Sequence, residues 1–322
     1  MAEGKEAVVV SGGTGFIGQA LIRTLQERGH REIYTFSRQP SRATLPPGVD
    51  CLAWSPGASE LSAQAQNALR KSSWIFNLAG APVVGQRWTP QYREELRASR
   101  LDPTNLLRKA ILALAQEEGF IKKRFVSMSG IGFYGDRPKD DPVSETSEVG
   151  RDFLAELCVD WESASQPTLQ ESAECEERFS SADVVNTRMG IVLDKDGGAL
   201  AKILPPLRAF LGGPIGTGQQ GVSWIAREDA AKALIHCAES HLQGPVNICS
   251  PQPVSNRELM TTLGRHFHRP SRLPVPPLAL KALFGEGATP LLTGQFAKPT
   301  KLLSDGFEFH HPDLKGTIQA IF

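Results

Sequence analysis

The chain lacks an excess of charge of either sign. Lysine and arginine together number 35, and so do aspartate and glutamate. A balanced chain carries no broad basic footprint for nucleic acid or an anionic membrane, so neither is expected as a partner. Cysteine is sparse: Cys51, Cys158, Cys175, Cys237 and Cys249 are far apart, odd in number and never paired as CxxC. That pattern excludes a disulfide framework and a cysteine-rich zinc site, and it points to a reducing, cytoplasmic setting. No apolar run is long enough to span a bilayer. The charged start is followed only by the short run Ala7–Val10, which leads into glycines. It reads as a strand and not as a secretion signal. Internal repeats and low-complexity linkers are also missing.

What is present is alternation. Short β-rich runs at residues 7–11, 33–37, 51–54, 74–78, 124–129 and 184–187 are separated by helical patterns at 16–28, 89–116 and 152–166. Thr89 followed by Pro90 reads as a helix start, and Pro103 as a candidate break. Strand–helix alternation of this kind predicts an α/β Rossmann fold, a doubly wound parallel sheet covered on both faces. After Gly190 the character changes. Pro205-Pro206 and the glycines from Gly212 to Gly218 read as loops or a hairpin. Asp229 reads as the cap of a further helix, residues 246–249 as a strand, and Ser255 or Asn256 as another cap. The expected division is a dinucleotide-binding domain over residues 1–195 and a smaller C-terminal substrate lobe over 196–322, with 222–250 able to return to the first domain.

The most informative stretch is Ser11-Gly12-Gly13-Thr14-Gly15-Phe16-Ile17-Gly18. Glycines at this spacing, between a strand and an amphipathic helix, permit a tight turn and close approach to a pyrophosphate. The helix start aims its free N–H groups and positive dipole end at the phosphates. The second strand ends Ser37-Arg38-Gln39, with no carboxylate to hold a ribose 2′-hydroxyl. An arginine there suits a 2′-phosphate. One charge-assisted hydrogen bond contributes about 1.5–3 kcal/mol, a roughly ten- to hundredfold preference for NADPH over NADH. A solvated surface arginine is the alternative.

With these residues in hand, the chain resembles the atypical short-chain dehydrogenase/reductases of the NAD-dependent epimerase/dehydratase family, specifically the SDR39U1-like subgroup. Asn77-Leu78-Ala79-Gly80, Arg87-Trp88-Thr89, Gly132-Phe133-Tyr134-Gly135-Asp136, Trp161-Glu162 and Trp224-Ile225 carry the likeness, which runs through the whole chain. The resemblance implies an NADP-dependent oxidoreductase or epimerase acting on a small molecule. It further implies that Leu78, Ala79 and Gly80 line the cofactor, that Ser37 and Arg38 hold the adenosine phosphate, that Glu95 and Arg100 point toward it, and that Val192 touches the nicotinamide region. The helices near 90–116 and 152–166 resemble those that pair relatives into homodimers.

One family signature is missing. No Tyr-x-x-x-Lys occurs, and the expected pair falls on Leu154 and Cys158. Proton transfer by such a pair is typically worth about 10²–10⁴-fold. Ser129 and Tyr134, just past the fifth strand, are the candidate substitutes, although Tyr134 could equally be a packed aromatic. Alanine stands at Ala226, where relatives often carry histidine. Two functions therefore remain open: an NADPH-dependent enzyme, or an NADPH-binding regulatory or scaffold protein with little turnover.

Overall fold

A computed structural model describes residues 6–175, 178–271 and 273–322; the charged start lies outside them. Seven parallel strands form the central sheet. They are β1 (Ala7–Ser11), β2 (Ile33–Ser37), β3 (Val49–Ala53), β4 (Ser72–Asn77), β5 (Arg124–Gly130), β6 (Val184–Met189) and, late in the chain, β10 (Gly244–Ile248). Their spatial order is β3-β2-β1-β4-β5-β6-β10, with all neighbours parallel. This is a Rossmann-like doubly wound sheet.

Successive side chains of a strand face opposite layers, and β1 shows how both faces are used. Val8 and Val10 enter one core with Leu21, Ile22 and Leu25 of α1 (Phe16–Glu27), while Ala7 and Val9 enter the other. α1 ends where expected, with Gly29 at φ 93°. The second layer holds α2 (Ala63–Lys71), which sequence periodicity did not reveal, and α3 (Pro90–Ala115). α3 starts at Thr89, whose hydroxyl accepts from Tyr92 N, and runs unbroken through Pro103. α4 (Phe153–Ser165) starts at Asp152, which accepts from Ala155 N. The short α5 (Leu169–Glu174) follows.

Beyond β6 lie β7 (Ile191–Asp194), α6 (Gly198–Arg208), β8 (Gly221–Val222), β9 (Trp224–Ala226) and α7 (Arg227–Glu239). β11 (Val254–Ser255), α8 (Asn256–His266), α9 (Pro277–Phe284), α10 (Thr289–Leu292), α11 (Thr300–Ser304) and α12 (Leu314–Ile321) complete the chain. Several expectations for this half need correction. Pro205 and Pro206 lie inside α6, in its last turn, and their carbonyls accept from Ala209 N and Leu211 N. The glycines at 212–218 form no hairpin; β8 instead pairs antiparallel with β11, and β7 parallel with β9. Asp229 is not a cap. It lies in the first turn of α7 and accepts from the backbone N–H groups of His310 and His311, at 3.0 and 2.8 Å, tying the tail to that helix. Ser255 caps α8 with Glu258 in a reciprocal capping box.

Candidate functional site

The strand ends of β1, β2 and β4 converge on the glycine turn. Gly12 holds φ 75°, and a Cβ there would lie 2.8 Å from the Leu78 carbonyl carbon. A Cβ on Gly13 would meet Thr35 Oγ1 at 2.3 Å, and one on Gly18 would meet the Gly12 carbonyl oxygen at 2.3 Å. The turn is therefore pressed against β4, β2 and its own helix, leaving no room for side chains. Gly15 is the N-cap of α1 and offers no capping side chain, so the first-turn N–H groups stay available to an anion. Thr14 and Gly15 are exposed beside them. Below the turn, Ser11 Oγ donates to Asn77 Oδ1 (2.6 Å), and Asn77 Nδ2 and Trp161 Nε1 both donate to Thr104 Oγ1. This buried relay locks β1, β4, α3 and α4 together.

Phe16 is fixed from three sides. A Cβ on Gly197 or Gly198 would strike its ring, and Arg227 stacks over that ring at 4.4 Å while donating to the Phe16 carbonyl at 2.8 Å. Ile17 and Val192 belong to the same core, and Val192 pairs in register with Ile225. Val192 is buried.

At the tip of β2, Ser37 Oγ accepts from Gln39 N at 3.1 Å. Arg38 is exposed and has no ion-pair partner among the described residues. The short turn Pro40–Arg42 brings up a second cation, Arg42, whose guanidinium reaches Gln39 Oε1. Periodicity gave no sign of that turn.

At the tip of β4, Leu78 and Ala79 are half-buried and Gly80 is exposed. Arg100 is buried beneath them. It donates to the carbonyls of Leu96 and Ala81, both at 3.0 Å, lies 5.0 Å over the Trp161 ring, and would touch a Cβ on Gly80 at 3.4 Å. Burial lowers its pKa, and no carboxylate pairs with it among the described residues. Glu95 is exposed. Five residues advance an α-helix by about 140° past a full turn, so Glu95 and Arg100 do not converge.

The candidate acid–base residues need correction. Tyr134 is fully buried; its hydroxyl donates to Asn247 Oδ1 at 2.8 Å and accepts from Arg188 Nη1 at 2.9 Å. Burial pushes its pKa up to about 12, against the opposing pull of Arg188. Ser129 is equally enclosed, donating to Glu162 Oε1 at 2.7 Å. Glu162 in turn forms a two-point ion pair with Arg188, at 2.8 and 2.9 Å. Burial opposes charge on Arg188, but the Glu162 hydrogen bonds prevail and hold its pKa above the usual value. Both hydroxyls are engaged in a buried internal network. Sequence spacing could not have joined Glu162, Arg188 and Asn247, because they come from α4, β6 and β10.

Leu154 and Cys158, where the resemblance places the missing Tyr–Lys pair, lie against the glycines at the end of β5. A Cβ on Gly132 would contact Leu154 at 3.3 Å, and one on Gly130 would contact Cys158 Sγ at 3.5 Å. Leu154 packs in a cluster with Trp88, Tyr92, Leu96, Ala81 and Val83. Burial pushes the Cys158 thiol up to about 11, so it stays protonated near neutrality and is a poor nucleophile. Among the described residues no group of three His, Cys, Asp or Glu is placed to hold a metal ion.

A parallel sheet with a glycine cradle at its switch point defines a dinucleotide-binding protein of the short-chain dehydrogenase/reductase class. Comparison with known proteins narrows this. The pattern of the NAD dependent epimerase/dehydratase family matches residues 8–153, and a domain of unknown function (DUF1731) matches residues 275–321. Epimerase family protein SDR39U1 of Mus musculus is 34% identical over 98% of this chain and 99% of its own length. Epimerase family protein MT2273 of Mycobacterium tuberculosis is 37% identical over 94% of this chain and 93% of its own. The crystal structure of human SDR39U1 with NADPH superposes with a TM-score of 0.81 at 31% identity, covering 98% of both chains. The chain belongs to the SDR39U1-type epimerase family of atypical short-chain dehydrogenases, whose members bind nicotinamide cofactors.

Proposed function

We propose that this protein binds NADPH and acts as an oxidoreductase without a proton relay of its own. The cradle supports the first part. The uncapped start of α1 and the Gly12–Leu78 contact fit a pyrophosphate. Arg38, with Arg42 beside it, fits a 2′-phosphate. Arg100, a buried cation without a counter-ion, fits the anionic side of the same ligand. NADPH supplies a hydride when bound; the residues of this chain bind it, orient it and exclude water from it.

The single observation that carries this reading is the apolar wall of Leu154, Gly130 and Gly132. Oxidising an alcohol, the first step of an epimerisation by transient oxidation, requires a base to take the hydroxyl proton. No such group stands at that wall among the described residues. Reduction crosses the same barrier in reverse, so either direction must exchange its proton with solvent or buffer, and the wall itself favours neither. The corresponding experiment mixes protein and NADPH with a panel of carbonyl compounds and follows nicotinamide absorbance at fixed pH and rising buffer concentration. The expected rate climbs with the buffer acid. A buffer-independent rate with a sigmoidal pH profile would show a protein acid and overturn the reading. The same apolar cluster favours a second reading, an NADPH-binding regulatory protein, which predicts tight binding and no oxidation with any compound.

A further inference from the structure

The charge balance of the whole chain hides a local imbalance. Residues 197–227 and 259–285 contain no aspartate or glutamate, but they carry three and four lysine or arginine residues respectively. The fold lays parts of these two segments side by side. Val275 N donates to the Pro214 carbonyl at 2.8 Å, and Gly216 N donates to the Val275 carbonyl at 3.0 Å. Arg269 reaches the Arg208 carbonyl and stacks on the Phe210 ring at 4.5 Å. α9 continues directly from this seam, with Pro277 against Gly216.

The seam is also where large apolar side chains stand in water. Phe210 is 54% exposed, Leu211 70%, Leu273 68% and Leu278 80%. α9 buries none of its residues and exposes Leu283 as well. Scattered exposed leucines need no explanation, but several on two adjoining segments that also carry cations do. Arg208, Arg265 and Lys281 are exposed on these segments and have no carboxylate partner among the described residues. Two helices end at this seam in left-handed turns: Phe210 at φ 63° follows α6 and His268 at 52° follows α8, with Leu211 N donating to the Pro206 carbonyl and Arg269 N to the Gly264 carbonyl.

From these features we infer that this face, Phe210, Leu211, Leu273 and the outer side of α9, docks on an anionic lipid surface. The chemistry is that of an interfacial site: apolar side chains enter the acyl boundary while cations sit at the headgroups. Each lysine or arginine held near an anionic leaflet adds about fivefold to partitioning. Each leucine fully withdrawn from water adds roughly tenfold or more. The absence of carboxylates from both segments removes the repulsion that would oppose docking.

The test is co-sedimentation of the full chain with phosphatidylglycerol–phosphatidylcholine vesicles, against pure phosphatidylcholine vesicles and against the mixed vesicles at high salt. Binding is expected to the mixed vesicles only, and to weaken with salt. Leu211→Ser with Leu278→Ser should reduce it at least tenfold, and so should Arg208→Glu with Lys281→Glu. These side chains are exposed, so thermal midpoints should hold. Phe210→Gly separates docking from folding, because glycine suits the left-handed φ and should raise or preserve the midpoint while weakening vesicle binding. Equal binding by wild type and the leucine variants would overturn the inference, as would no binding to anionic vesicles. A dimer at micromolar concentration that the same leucine variants dissociate would assign the face to a second copy instead.

Discussion

Replacing Tyr134 by Phe removes one oxygen from a closed network. Asn247 Oδ1 loses its donor and Arg188 Nη1 loses its best acceptor, keeping only the longer contact of 3.4 Å to the Glu145 carbonyl. Leaving a buried polar group unpaired costs about 1–3 kcal/mol. At about 2.1 cal/mol/K of unfolding entropy per residue, a chain of 322 residues should lose roughly 1.5–4.5 °C in Tm. NADPH affinity should not change, because the hydroxyl faces the β5–β6–β10 side and not the cradle. The pH dependence gives a second readout. Burial raises the folded pKa to about 12 from the ordinary tyrosine value of 10.0, so the native state retains a proton that the unfolded chain releases. The stability this provides is complete below pH 10 and is lost as pH rises from 10 toward 12. The Phe variant should lack that component of the alkaline decline. Differential scanning fluorimetry across pH, with calorimetry for the cofactor, measures both. A variant with unchanged Tm and abolished NADPH oxidation would refute the assignment and return Tyr134 to the chemistry.

Two further substitutions probe the cofactor seat. Arg38→Asp should weaken NADPH binding at least tenfold in calorimetry and leave NADH binding intact; equal losses would remove the 2′-phosphate from that strand tip. Arg100→Met removes a buried cation that has no counter-ion among the described residues. Its apo midpoint should hold or rise, while the upward shift produced by NADPH shrinks by half or more; an unchanged shift would make Arg100 purely a packing residue.

The parts of this molecule that were legible in sequence are those governed by local rules. The glycines of residues 12–18, the missing carboxylate after Phe36, the start at Thr89-Pro90 and the Ser255 cap each depend on neighbours a few positions away. The start of the central sheet was legible because β1 is buried on both faces and reads as a continuous apolar run. What failed was non-local. Asp229 has the composition of a cap, yet its carboxylate is taken by the backbone of His310 and His311, 81 and 82 residues on. Ser129 and Tyr134 stand at the right end of β5, but Glu162, Arg188 and Asn247 claim their hydroxyls, and no spacing rule links those residues. Pro205-Pro206 looked like a loop because proline disfavours helix interiors, yet both lie inside the last turn of α6. α2 went unread because it buries only Ala65, Ala68 and Leu69, and two alanines and one leucine among polar neighbours leave no visible apolar stripe.

The return of the chain through β10 has a practical consequence. β10 arrives after α6, β9 and α7 and supplies the last strand beside β6. α7 also reaches back through Arg227 to grip Phe16 at the opposite end of the sequence. A fragment ending near residue 195 would therefore bare the hydrogen-bonding edge of β6 and loosen the mouth of the glycine turn. Whoever engineers this scaffold must transplant the cofactor half and the lobe together, since no single cut yields two self-sufficient pieces.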